Sequence, residues 1–155
     1  MQHGKSGSAK PGYRSLLIQT AASAVVMYFT MFVMIDSMES FFNNLNMLYM
    51  TLMMAAPMVV LMILAMPHMF PSKPANMVFI AASTIIFFGS FTLIRTQTTI
   101  GDTAFLRSMI PHHSGAILMC RKAKLTEPEV IKLCDSIQRS QREEIDQMKA
   151  ILARR

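Results

Sequence analysis

Up to about residue 95 the chain alternates long apolar stretches with short polar breaks, and then its character changes. Residues 16–35, 45–66 and 75–94 contain no Asp, Glu, Lys or Arg. A helix of about 20 residues rises ~30 Å, the thickness of the hydrocarbon core of a bilayer. In lipid the backbone must satisfy its own hydrogen bonds within the segment, so three transmembrane helices are expected. Beyond residue 96 the pattern is amphipathic. Asp102 is expected to cap a helix that runs to about Leu125 with Pro111 inside it. Thr126 is expected to cap a second helix reaching about Ala153, with Pro128 in its first turn and Glu127 and Glu129 at its positive end. In that helix Ile131, Cys134, Gln138, Gln141, Ile145, Met148 and Leu152 recur three and four apart, so they share one inward face.

This pattern predicts an all-α fold in three parts. Residues 1–14 form a flexible cytoplasmic tail, 15–95 a three-helix transmembrane region, and 96–155 an extracytoplasmic helical hairpin. Two helices alone enclose too little core, so the hairpin needs a second copy, the membrane spans or a partner to pack on. A homodimer is the expected arrangement.

Composition sharpens the picture in three ways. Hydrophobic residues make up 52% and charged residues 15%, and within 15–94 the only charges are Asp36, Glu39 and Lys73, which excludes both disorder and an evenly patterned soluble globule. The net charge of +6 does not point to nucleic acid, because much of it flanks the apolar stretches. Lys5, Lys10, Arg14 and Lys73 lie on one side, and Arg95 and Arg107 near the membrane on the other, so the basic-residue rule puts the N-terminus inside. The expected location is a bacterial cytoplasmic membrane with the C-terminal part in the periplasm. The 17 methionines are the third signal. Met27, Met31, Met34 and Met38 form one helical stripe, and Met47, Met50, Met54, Met58, Met62 and Met69 another. Such stripes are more often adaptable packing than a metal path, and the spans carry no ionisable midplane residue that a pump would use.

Candidate chemistry concentrates between residues 105 and 120. On a helix Met109, His113, Ala116 and Cys120 fall on one face, with His112 and Met119 beside it. Antiparallel pairing about a turn near Glu127 sets Cys120 opposite Cys134, His113 opposite Gln141 and Met109 opposite Ile145. Imidazole and sulfur donors of this kind suit copper, Cu(I) above all. No closed four-ligand zinc set and no Glu-x-x-His repeat is present. The same residues have a plainer reading, in which the His pair only makes hydrogen bonds. Cys120 and Cys134 could likewise form a disulfide, ligate copper or simply fill space. No nucleophile–base pair or phosphate loop occurs, so an enzyme is not expected. Asp36, Glu39, Asn43, Asn44 and Asn46, around the first outer loop, offer a docking surface for the hairpin.

Met109-Ile110-Pro111-His112-His113, followed by Ala116 and Met119, resembles the signature of the "domain of unknown function 305" family. Ser140-Gln141 through Glu144-Ile145 to Met148 is similar to its Gln-x-x-Glu-Ile-x-x-Met tail. The resemblance covers about residues 102–152. It implies a ferritin-like four-helix bundle; the family domain resembles two such hairpins, each with its own His pair, whereas this chain has one, so either a second chain completes the bundle or the site is vestigial. It also implies metal-ligand candidates at Met109, His112, His113, Met119 and Met148, supported by Gln141 and Glu144. The function expected is a membrane-anchored copper-binding protein, a buffer or chaperone in copper homeostasis or resistance, working with a copper-handling partner protein. The alternative is a structural membrane module whose hairpin mediates oligomerisation or docking without metal.

Overall fold

The computed structural model describes residues 11–155, and these form helices and connecting loops with no strand among the described residues. The helices are α1 (Pro11–Thr30), α2 (Leu45–Ala65), α3 (Lys73–Thr96), α4 (Asp102–Lys122) and α5 (Pro128–Ala153). Two short 3-10 turns, Met31–Met34 and Met38–Ser40, lie between α1 and α2. The first prolongs α1, so Gly12–Met34, Leu45–Ala65 and Lys73–Thr96 are three segments long and apolar enough to cross a membrane.

Each boundary has a local cause. Of the tail expected over 1–14, residues 1–10 lie outside the described residues, and 11–14 are already helical. Pro11 opens α1 where its missing N–H is no loss. Tyr13 and Leu16 then bury against Val59, Ile63 and Phe70. The Tyr13 hydroxyl donates to Asn76 Oδ1 at 2.7 Å and accepts from Ser72 N–H at 3.3 Å, which ties α1 to the α2–α3 loop. At Gly12 a Cβ would stand 2.6 Å from the Met69 carbonyl oxygen, so only glycine allows this approach. Asn44 caps α2 by accepting from Met47 N–H at 2.9 Å. At the far end of α3, Gln97 takes the left-handed conformation (φ 54°) and its N–H closes on Leu93 O. Its amide pairs reciprocally with that of Asn46 at 2.9 and 3.2 Å, fastening the end of α3 to the start of α2.

The methionine stripe of α2 is not the helix's buried face, although Met62 packs against the core at its edge. Its buried face is Thr51, Ala55, Ala56, Val59 and Ile63, whereas Met50 and Met54 are exposed. Small residues let helix backbones approach closely, and they take the interior for that reason.

α4 and α5 pack along their length. Arg155 Nη2 donates to Asp102 Oδ2 at 2.7 Å at one end, and Cys120 is bonded to Cys134 near the other. Between them lies a core of Leu106, Ile110, Ile117, Ile145 and Met148, with Met109, Leu152 and Phe42 against it. The capping glycine of α4 is Gly101, with Asp102 already in its first turn, and Glu127 rather than Thr126 precedes α5. Ile131, expected inward, is exposed because it lies in the first turns of α5, beyond the end of this core.

The helical pair rests on the loop that follows α1. Asp36 N–H donates to the buried Ser114 hydroxyl at 2.7 Å. Arg121 grips Asp36 with both terminal nitrogens. Nη1 donates to Oδ2 at 3.2 Å, and Nη2 stands 2.9 Å from Oδ1 without hydrogen-bond alignment. Lys149 reaches Glu39 at 3.5 Å. Phe32 and Phe41, with ring centroids 4.2 Å apart, hold the loop in shape beneath these contacts.

Candidate functional site

The site is built on the middle of α4, where Pro111 removes one backbone donor and the helix nevertheless continues. His113 faces α5 and is 7% exposed. Its Nδ1 lies 2.9 Å from the Met109 carbonyl oxygen, one turn back on its own helix. Its Nε2 lies 2.6 Å from Glu144 Oε2 on α5. A backbone carbonyl can only accept, so Nδ1 carries a proton. Nε2 then faces a carboxylate, and a single proton held between the two makes this a short, charge-assisted hydrogen bond. The carboxylate side chain is half exposed, so this bond sits at the rim of the core.

This is also how histidine ligands are commonly held. A carbonyl fixes the Nδ1–H tautomer and turns Nε2 towards the metal position. Here the hydrogen bond to Glu144 occupies that position, so a metal ion would have to take the place of its proton.

The expected partner of His113, Gln141, is replaced by Glu144. Helical side chains lean towards the N-terminus, so in an antiparallel pair each reaches a level about one turn before its own Cα. The ring of His113 therefore lies near the level of Met109, which the Cys120–Cys134 register sets opposite residue 145, and Glu144 rather than Gln141 is within its reach.

The other candidate ligands are dispersed. His112, one residue and about 100° around the helix from His113, is exposed. The two rings stand 6.1 Å apart, centroid to centroid, at 71°. Met109 is half-buried against the core, and Met148 is inside it. Met119 is 53% exposed and points away from the core. Cys120 and Cys134 meet as the equal offset from the turn requires, with Cα atoms 5.3 Å apart, but their sulfurs are bonded to each other. Of the roles open to them in the sequence, the disulfide is the one seen, and in this state neither is a thiolate donor.

Among the described residues no three His, Cys, Asp or Glu side chains converge on a point. Tested against a copper ion, the chain therefore fits in part. Among the described residues it offers one oriented imidazole, one carboxylate and an outward-facing second imidazole, with the Met109 thioether one turn back on the same helix.

Ser114 is the residue here with no sequence signal of its own, an ordinary helical serine that only the packing of α4 on the loop distinguishes. Glu144 is marked in the sequence by the family resemblance alone, and the pairing of α4 with α5 is what sets it on His113.

A family model described as "Domain of unknown function (DUF305)" matches residues 91–152. Over 144 residues the chain is 35% identical to "Uncharacterized protein L153" of Acanthamoeba polyphaga mimivirus, a match that spans 90% of this chain and 92% of that protein. No solved structure matches the chain.

Proposed function

Since the chain belongs to the DUF305 family, we propose that it is a membrane-anchored copper-binding protein centred on His113 and Glu144. It acts as a buffer or chaperone and not as an enzyme. The observation that carries this reading is the orientation of His113, with Nδ1–H held by a carbonyl and Nε2 aimed at a carboxylate. Three apolar helices anchor it, with the N-terminus cytoplasmic and α4–α5 on the extracytoplasmic side. A disulfide supports that side, because such bonds persist in oxidising compartments.

Two copies complete the site and the fold. A second α4–α5 pair would make the four-helix bundle, of ferritin-like form, and would bring further donors towards His112 and Met119. With the cysteines oxidised, imidazole and carboxylate dominate the donors, which favours Cu(II). Reduction would free two thiolates and move the preference to Cu(I). The ion, when bound, is cargo to be held and passed on to a copper-handling partner protein.

A docking module without metal is the second reading. It is favoured by the satisfied state of His113, both of whose nitrogens already have partners, and by the contacts from α4 to Asp36. Equilibrium dialysis of the full-length protein separates the two. Binding lost in the His112→Ala, His113→Ala variant, with helical content kept, supports the metal site. Met109→Leu with Met119→Leu should weaken Cu(I) more than Cu(II), since Leu keeps the volume and removes the thioether. Stoichiometry unchanged by the double-His substitution would leave the docking reading.

A further inference from the structure

A cavity of about 530 Å³ lies at the base of the α4–α5 pair, away from His113. Phe42 and Leu152 supply its apolar wall, and Thr103, Arg107, Lys149 and Arg155 its polar one. Its position matters as much as its lining. Phe42 stands just ahead of the first turn of α2, and Thr103 and Arg107 are in the first turns of α4, a short loop beyond the end of α3. The cavity thus sits level with the ends of the apolar helices.

Its charge is one-sided, with three cations and no acidic residue in the lining. Arg107 forms no ion pair among the described residues. Lys149 is held only by a 3.5 Å contact to Glu39, and Arg155 by Asp102, and both acidic partners are largely exposed. Such exposed pairs are weak and exchange readily for a better anion. Asp102 in the first turn of α4 offsets the positive end of that helix and one cation, Arg155, so the surplus charge beside Thr103 comes from Arg107 and Lys149.

From this we infer that the cavity binds the phosphate of an anionic phospholipid headgroup, with Phe42 and Leu152 against the first carbons of its chains. An arginine and a lysine beside an apolar wall at the membrane boundary match a phosphodiester that carries hydrocarbon. A soluble phosphate would gain nothing from the apolar wall. The inference rests on the membrane placement proposed above and is independent of copper.

The test uses the full-length protein in neutral phosphatidylcholine nanodiscs doped with phosphatidylglycerol. Lipid retained on extraction into detergent is counted by native mass spectrometry. Wild type should retain phosphatidylglycerol in preference to phosphatidylcholine. Arg107→Gln with Lys149→Gln should reduce that preference roughly 25-fold, at about fivefold for each basic residue. Arg95→Gln, outside the cavity on the last turn of α3, should leave it unchanged. Equal loss in Arg95→Gln would mean diffuse attraction and would overturn the site, as would no loss in the double variant. Displacement of the lipid by millimolar inorganic phosphate would assign the cavity to a soluble anion instead. Failure to enter neutral nanodiscs would overturn the membrane placement along with it.

Discussion

Replacing Cys120 and Cys134 together by serine should loosen the turn end of the α4–α5 pair by an amount that loop length sets. The bond closes a segment of 14 residues' separation, and a closed loop of about 15 residues is worth about 3 kcal/mol through the entropy it removes from the open chain. One decade in an equilibrium constant is about 1.36 kcal/mol, so local opening becomes roughly a hundred times more frequent. The helices need not unfold for this to be seen. Amide hydrogen exchange on reconstituted full-length protein reads such partial opening directly. Protection across residues 114–140 should fall roughly a hundredfold by the same arithmetic. Near Asp102 and Arg155 the change should be much smaller, because the disulfide is remote from that end. A fall of less than about threefold around the turn would show that core packing alone holds it, against the loop-closure argument.

Three further substitutions test the packing. Ile110→Ala removes a side chain that is fully enclosed; it should cost about 2–5 kcal/mol and lower the thermal midpoint of α4–α5 by circular dichroism. Ser114→Ala leaves Asp36 N–H without its acceptor, which should cost about 1–3 kcal/mol and raise exchange at residues 36–40 before anything changes in α5. Gly12→Ala forces a Cβ against the Met69 carbonyl, so trypsin should cut more readily after Arg14, while α4–α5 stays protected.

Several features of this molecule were readable in the residues, and the reasons differ. The apolar spans were legible because membrane thickness is a length and so is a run of uncharged residues. The start of α1 was not, because what extends it to Pro11 is packing of Tyr13 on a loop reached only in three dimensions. The Cys120–Cys134 register followed from equal distances to the turn. The face that carries His113 is legible from helical spacing, whereas its contact with Glu144 rather than Gln141 depends on the lean of side chains along the helix, which Cα register ignores. Methionine periodicity marks a stripe on α2 without saying which way it faces; Thr51, Ala55 and Ala56 take the buried face, with Met62 packing at its edge. The seat of α4 on Asp36 joins residues 78 and 85 positions apart. The polar loop hinted at such a contact, but no pattern in the chain names its partners.

Pulsed EPR of the Cu(II)-loaded, oxidised full-length protein tests most directly whether His113 Nε2 is a metal position. Imidazole nitrogen couplings should be present in wild type, lost or halved in His113→Ala, and altered in Glu144→Gln. Copper that shows no imidazole coupling, or the same couplings after His112→Ala with His113→Ala, would contradict the proposed site.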